Sequence, residues 1–565
     1  MTLTFYTTLL ETIYGDEIAA QIEPRLQKLI ERYRNKISKP ESDKLSESDS
    51  LLITYGDQVQ EDNKAHLQTL AEFCEHHLRD IVSGVHVLPF YPWSSDDGFS
   101  VKDYRAVDPA LGGWSNIERL GRSFRLMFDG VINHMSAQGE WFQKFLQDEE
   151  PYSNYFFTVE DAPDLSQVVR PRALPLLTEF EAASGKRKVW TTFSADQVDL
   201  DFRNPDVLLE IIDILLMYAR RGAQFIRLDA IAYLWKEIGT TCIHLPQTHT
   251  VIQLIRTVFD DVAPHVRLIT ETNVPHQDNV SYFGDGTNEA QLVYNFALPP
   301  LVLHTLRTGD VRILSDWAAS LTLPSGRTTF FNFLASHDGV GLNPARGILS
   351  NADIDSLVEQ TLAHGGLISY KHNSDGTKSP YEMNINYFDA LSNPASDEPL
   401  DLQVDRFMAA QAIMLSIVGL PGIYFHSLFG SRNWKEGVEI TKHNRTINRQ
   451  KLKRDELENQ LTDEDSVRAK VYTHYRKLLV ARSSTSAFDP HGKQEILDVG
   501  KEIFAVFRIS PDEAKQVLCV QNVTAQDLEF ENPRKQITHD LLSGDDIDGK
   551  ISLKPYQIIW LGFSK

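Results

Sequence analysis

Cysteine is scarce: the 565-residue chain has three, Cys74, Cys242 and Cys519, far apart and in no metal-ligand spacing. That argues for buried apolar thiols in a reducing cytoplasm, and against a metal centre. Positive charge is also short, with 56 Lys and Arg against 78 Asp and Glu, a net charge of −22. A chain of that sign repels a polyanion, so no nucleic-acid partner is expected. Long apolar runs are missing too. The longest, Ala412 to Phe425, is interrupted by Gly-Leu-Pro-Gly and is too short to span a bilayer, so no membrane partner is expected either. The first residues, MTLTFYTTLLETIYGDE, have no basic n-region and acquire acids early, unlike a signal peptide. Internal repeats and low-complexity tracts are absent.

What is present is an ordinary globular composition, 42% hydrophobic and 24% charged, in a chain too long for one small core. Residues 1–50 read as a helical extension: IAAQIEPRLQKLIERYRNKI has apolar positions at helical spacing and then gives way to polar KPESDKLSESDS. From Leu51 onward, apolar runs of strand type alternate with helical stretches. They are LLITYGD (51–57), GVHVLPF (84–90), RLMFDGVINH (125–134), AQFIRLDA (223–230), VRLITET (266–272), AQLVYNF (290–296), TFFNFLASHD (329–338) and MLSIVGLPGIYF (414–425). VLLEIIDILLMYARRG (207–222) and HTVIQLIRTVFDDVA (249–263) are helical stretches between them. Eight such runs with helices between them predict an α/β fold, a (β/α)8 TIM barrel assembled from 51–134, 200–338 and 406–484. Two gaps exceed ordinary barrel connections. Residues 135–199, after the third strand, and 339–405, after the seventh, are expected as inserted subdomains over the active-site face. From 485 to 565 short alternating runs, EIFAVFRIS, QVLCVQNV and ISLKPYQIIWLGF, predict a C-terminal all-β domain.

In this architecture chemistry sits at the carboxyl ends of the strands. Strands four, five and seven end in Asp229, Glu271 and Asp338. Carboxylates gathered on one rim repel one another, so their convergence points to function. Retaining glycoside chemistry asks for one carboxylate as nucleophile and a second, with raised pKa, as general acid/base. A third can grip sugar hydroxyls. The stretch FIRLDAIAY (225–233) places Arg227 and Asp229 in an otherwise apolar run. Such a pair is either a structural ion pair or part of an active site, and the company of Glu271 and His337-Asp338 favours the second. Arg227 would then orient Asp229 and keep it ionised.

FDGVINH, FIRLDAIAY, LITETN and FLASHDG resemble, in order, the four signature segments of the α-amylase family of glycoside hydrolases, and GLPGIYF resembles its eighth-strand segment. The resemblance spans roughly residues 50–480. It implies Asp229 as nucleophile, Glu271 as acid/base, Asp338 as transition-state stabiliser, and His134, Arg227 and His337 as sugar-holding residues. LLITYGDQV, GVHVLPFYPWSSDDGFSVKDY, RPRALP, VWTTFSADQVDLD, KEIGTTC, NFALPPLVLH and HNRTINR narrow the likeness to the sucrose-phosphorylase subgroup. By that likeness Asp57 and Arg445 bind hydroxyls of the glucosyl unit and Phe90 forms an apolar platform. Tyr233, Lys236 and Gln197 line the pocket, and Arg172 and Tyr381 meet phosphate. An arginine suits that last task because its planar fork meets phosphate oxygens in pairs.

Some positions depart from the sucrose-cleaving members. Glu271 is followed by Thr-Asn-Val-Pro-His where they have a valine-histidine pair, position 382 is glutamate where they commonly have glutamine, and about 50 residues precede the first strand. The segment ITETNVPHQDNVSYFGDGTNEAQLVYNF is similar to glucosylglycerate phosphorylases, whose acceptor is a small anion. Asn273, His276 and Glu382 thereby become acceptor-side or phosphate-side candidates, with Arg170 and Lys188 candidates for an acceptor carboxylate. The resemblance implies phosphorolysis of 2-O-α-D-glucosyl-D-glycerate to α-D-glucose 1-phosphate and D-glycerate. Phosphate is then the co-substrate and no metal or organic cofactor is needed. Phosphorolysis of sucrose, sucrose 6-phosphate or glucosylglycerol, an α-glucosidase or glucosyltransferase, and a noncatalytic carbohydrate-binding barrel are the alternatives. The expected partners are the sugar substrate and phosphate, and the expected location is the cytoplasm.

Overall fold

The computed structural model describes residues 2–172, 174–373, 377–547 and 549–563. Eight parallel strands close into a barrel. They are β1 (Leu51–Thr54), β2 (Gly84–Val87), β3 (Arg125–Gly130), β4 (Ala223–Leu228), β5 (Arg267–Thr270), β6 (Leu292–Tyr294), β7 (Thr329–Asn332) and β8 (Leu420–Tyr424). Their order around the barrel is their order in the chain, and the Leu51–Gly422 register between β1 and β8 closes the ring. β1, β7 and β8 are buried along their whole length, as a parallel sheet wrapped by helices requires.

The run 414–425 forms the eighth strand only from Leu420 onward. Met414–Ser416 instead end the helix Leu400–Ser416, and the chain turns through Gly419, whose φ of +143° suits glycine, before entering the barrel. Both ends of that run are buried and apolar, which is why periodicity could not separate helix from strand.

After β3 the chain forms an antiparallel pair, His134–Ser136 with Gln197–Asp199, and a three-stranded sheet of Thr158–Val159, Leu177–Ala182 and Gly185–Trp190. After β7 a second three-stranded sheet joins Val340–Gly341, Leu367–His372 and Lys378–Asn384, beside the helix Asn351–Ala363. The C-terminal part holds a five-stranded sheet and a two-stranded one. There ISLKPYQIIWLGF divides into Lys550–Leu553 and Ile558–Phe563 around a turn at Tyr556. No helix among the described residues is long and apolar enough to cross a membrane.

The N-terminal extension is two helices, α1 (Thr2–Tyr14) and α2 (Asp16–Tyr33), packed on the outside of the barrel. Leu10 and Leu26 are completely buried there. Arg34 makes a two-pronged pair with Asp261 at 2.9 Å, and the Tyr33 hydroxyl donates to Asp213 at 2.8 Å. Both aspartates lie on barrel helices, Pro205–Arg220 and Pro246–Val262. The three cysteines are all buried free thiols.

Candidate active site

At the carboxyl ends of the strands the two insertions and the barrel line one cavity. Asp229, Glu271 and Asp338 all face this space. Asp229 and Glu271 immediately follow Leu228 and Thr270, the last residues of their strands, and Asp338 lies farther along the loop after Asn332, where the ladder has stopped and side chains are free to converge. Arg227, at the penultimate position of β4, lies beneath them. Its Nη1 is 2.5 Å from Asp129 Oδ1 and 2.8 Å from Asp229 Oδ1, and its Nη2 is 3.9 Å from Glu271 Oε1. Asp129 is braced from behind by His86 at 2.7 Å. Burial alone would raise Asp129, but His86 and Arg227 hold it below the usual carboxylate range. One buried chain, His86–Asp129–Arg227–Asp229, therefore runs from the barrel interior to the cavity.

Glu271 is placed by the backbone. Ala230 sits in the left-handed region with φ +49°, an uncommon conformation for a residue with a Cβ. That turn aims the Ala230 N–H at Glu271 Oε2, 3.0 Å away. Burial, with Asp338 nearby, raises Glu271 above the usual carboxylate range, against the pull of Arg227. Burial also pushes Asp229 up, and Glu271, Asp129 and Asp338 add to that push while Arg227 opposes it. The expectation that Arg227 keeps Asp229 ionised therefore needs correcting, because the same Nη1 also pairs with Asp129 and burial outweighs it at Asp229. Asp229 and Glu271 titrate as a pair that retains a proton. The guanidinium stands at 2.8 Å from Asp229 and 3.9 Å from Glu271, so it favours the charged form of Asp229 more strongly than that of Glu271.

Asp338 has the opposite environment. Burial would raise it, but Arg445, His337 and Arg449 hold it well below the usual range. Arg445 pairs with Asp338 through one nitrogen and with Glu382 through two others, at 3.0 and 2.6 Å. Gly339 makes this possible: a Cβ there would meet the Met383 carbonyl at 2.5 Å and Glu382 Cγ at 2.6 Å. His337 stacks on Phe99, with ring centroids 4.7 Å apart and planes 3° from parallel. His134 is buried, its Nε2 3.0 Å from the Phe99 carbonyl and 3.3 Å from Gln197. Burial lowers the pKa of both histidines, which favours neutral rings facing the cavity. The insertions add Arg172 and Tyr381 to the cavity wall. Among the described residues no carboxylate lies in salt-bridge reach of Arg172. Ala173, beside it in RPRALP, is outside the described residues.

Residues 76–339 match the family model for the α-amylase catalytic domain. The chain is 50% identical to a glucosylglycerate phosphorylase of Spirochaeta thermophila, over 98% of this chain and 97% of that one. It is 52% identical to a glucosylglycerate phosphorylase of Allomeiothermus silvanus, over 91% of each. The chain belongs to the α-amylase family. A crystal structure of sucrose 6F-phosphate phosphorylase from Thermoanaerobacter thermosaccharolyticum shares its fold, with a TM-score of 0.75 at 24% identity, covering 91% of this chain and 100% of that one.

Of the positions that the α-amylase likeness singled out, the structure gathers Asp229, Glu271, Asp338, His134, Gln197, Tyr233, His337, Arg445, Arg172, Tyr381 and Asn273 around one cavity, with Arg227 directly below. Others lie elsewhere. Asp57 follows β1 by three residues and turns away to Lys451, 2.5 Å off. Phe90 is fully buried among Tyr91, Trp114 and Phe128 and cannot touch a sugar. Lys236 is buried against Asp199 and Asn133, each at 2.8 Å, below the cavity floor. Glu382 is fully buried and spends its carboxylate on Arg445. His276 packs against Trp317 and Phe330. Arg170 donates to the Leu174 carbonyl, and Lys188 is exposed on its hairpin.

The positions missed in this family site are Asp96, Phe99 and Phe193, all of which line the cavity. Phe99 presents an aromatic surface and Asp96 a carboxylate to the cavity where Phe90 and Asp57 were expected to. Their signal was the Asp-Asp-Gly of WSSDDGF, a turn signature. Asp97 and Gly98 adopt φ of +48° and +108° there, and a Cβ on Gly98 would meet the Pro89 carbonyl at 2.7 Å.

Proposed function

We propose that the protein is a retaining glucoside phosphorylase that converts 2-O-α-D-glucosyl-D-glycerate and phosphate to α-D-glucose 1-phosphate and D-glycerate. The observation that carries this reading is Arg172, an arginine with no carboxylate partner among the described residues, facing the same cavity as a complete set of three catalytic carboxylates. Phosphate and a glycerate carboxylate would each accept charged hydrogen bonds from a guanidinium in this cavity, which a water nucleophile does not require. The two relatives at 50% and 52% identity are named for this activity.

In the first displacement the Asp229 oxygen not held by Arg227 attacks the anomeric carbon. The bond to the glycerate oxygen breaks, and that oxygen takes the proton from Glu271. Asp338, held anionic by Arg445, supports the positive charge that develops on the sugar ring. Phe99 and His337 form the surface beneath it, and Asp96, His134 and Gln197 contact its hydroxyls. In the second displacement phosphate, held by Arg172 and Tyr381, attacks the same carbon and gives its proton to Glu271 as the bond to Asp229 breaks. Two inversions retain the α configuration. Neither displacement calls for a metal ion or an organic cofactor, since carboxylates perform every proton and glucosyl transfer. The three unpaired thiols support a cytoplasmic location.

The test is an acceptor panel run in reverse from α-glucose 1-phosphate, with phosphate release compared for glycerate, glycerol, fructose and fructose 6-phosphate. Glycerate should be preferred. Preference for fructose would overturn the acceptor assignment, and glucose release at equal rate with no acceptor would overturn the phosphorylase.

A further inference from the structure

Past Asn332 the seventh strand ends, and the loop carrying the catalytic Asp338 has no neighbouring strand to satisfy its carbonyls. Two adjacent side chains take over that role. Asn448 Nδ2 donates to the carbonyls of both Ser336 and Asp338, at 3.1 Å each. Arg449 Nε donates to the carbonyl between them, that of His337, at 2.7 Å. Three successive carbonyls are thus held by Asn448, the last residue of a short 3-10 segment, and by Arg449, which follows it. The segment is itself tied to the barrel, because the Tyr424 hydroxyl at the end of β8 donates to the Asn448 carbonyl at 2.8 Å.

Arg449 also reaches the other side of the site. Its Nη1 lies 2.5 Å from Asp97 Oδ2, in the left-handed turn that presents Asp96 and Phe99. Arg445, on the same segment, grips the Asp338 carboxylate and Glu382. Asn448 and Arg449 are nearly fully buried, and neither lines the catalytic cavity. Ordinary loop packing would not need an amide and a guanidinium aimed at three consecutive carbonyls around one carboxylate.

We propose that Asn448 and Arg449 are positioning residues for glucosyl transfer: together they fix the backbone of Asp338 and lock it to the turn bearing Asp96 and Phe99. The proposal rests on the reading of Asp338 as the carboxylate that supports the transition state. Displacement of such a group by about 1 Å costs about 100-fold in rate, so the clamp acts on kcat and hardly on ground-state binding.

The experiment uses the full chain and α-glucosyl fluoride, whose fluoride release reports formation of the glucosyl-enzyme and depends little on which acceptor is natural. Asn448→Ser shortens the side chain so that it cannot span two carbonyls. Arg449→Lys keeps the charge near Asp97 but loses the Nε bond. Each should lower kcat by roughly 10- to 100-fold, with KM for the fluoride within about two-fold and little change in melting temperature. Arg449→Gln additionally removes a cation 3.7 Å from Asp338 Oδ1. The other charged or titratable groups around that carboxylate, Arg445, His337, Arg227, Asp229 and Glu271, stay in place. Arg449→Gln should therefore lower kcat further than Arg449→Lys does, because it also weakens the cationic surroundings that hold Asp338 anionic. Folded variants with kcat within about two-fold of the parent would overturn the proposal, as would a loss that follows melting temperature alone. If Asn448→Ser does not fold, Arg449→Lys decides the matter. Asp338→Asn run alongside separates the two claims: full turnover there would refute the role of Asp338, whereas a dead Asp338→Asn beside fully active clamp variants would refute the clamp only.

Discussion

Arg227 stands 2.8 Å from Asp229 and 3.9 Å from Glu271, so one guanidinium meets two buried carboxylates unequally. Burial raises both, and the cation opposes that rise at each. The two carboxylates are chemically alike, and their different distances to a fixed charge are what distinguish them.

The acid form of Glu271 is required when an oxygen leaving group departs. Its pKa is raised, so the protonated form persists above the usual carboxylate range and is lost as pH rises through the shifted value. Phosphorolysis should therefore fall along an alkaline limb that Glu271→Gln abolishes, with a loss of about 10²- to 10⁴-fold on the natural glucoside. Fluoride needs no proton to leave, so α-glucosyl fluoride should show a much smaller loss. A pH–rate profile on both substrates checks this, and an unchanged alkaline limb in the variant would assign it to another group.

Arg172 is expected to serve whichever anion occupies the acceptor end. Arg172→Ala should raise KM for phosphate by roughly 10- to 100-fold, the cost of losing charged hydrogen bonds worth about 1.5–3 kcal/mol. Fluoride release from α-glucosyl fluoride without phosphate should stay near the parent rate. Initial rates at varied phosphate distinguish this from a general loss of activity.

Glu382 acts through Arg445 and not on a ligand, being fully buried with its carboxylate paired to that guanidinium. Glu382→Leu leaves a buried cation with Asp338 as its remaining partner. Stability should drop by about 3 kcal/mol in urea unfolding. A neutral substitution would instead place Glu382 outside the network that holds Arg445.

The N-terminal helices are part of the folded core. Leu26 of α2 is completely buried against the barrel, so Leu26→Ala should cost about 2–5 kcal/mol. Unfolding by denaturant measures it. Full activity at low temperature with a reduced melting temperature is the expected pattern, since α2 lies on the outside of the barrel helices.

The barrel was legible because each strand is a short apolar run closed by polar or special residues, and the catalytic carboxylates were legible because they follow those runs. FIRLDAIAY carried both signals at once. Residues supplied by loops were harder to place. Asp57 and Asp96 are both aspartates in the loops that follow early barrel strands, and only the backbone shows that one faces Lys451 and the other the cavity. Phe90 and Phe99 present the same ambiguity, which the left-handed Asp97-Gly98 turn resolves by bringing Phe99 back over the barrel mouth. Lys236 and His276 were drawn toward the site by their neighbours in sequence, yet their polar atoms or rings are claimed by Asp199 and by Trp317. Asn448 and Arg449 gave no signal of their own, because what they hold is backbone.

The account stands most directly on the anomeric outcome of one reaction. The protein is incubated with 2-O-α-D-glucosyl-D-glycerate, with and without phosphate, and products are followed by proton NMR. α-D-Glucose 1-phosphate and D-glycerate should appear together only with phosphate, and Asp229→Asn should slow their formation by about 10⁴-fold or more. A β-configured sugar phosphate, or glucose released equally fast without phosphate, would contradict double displacement through Asp229 with phosphate as the second acceptor.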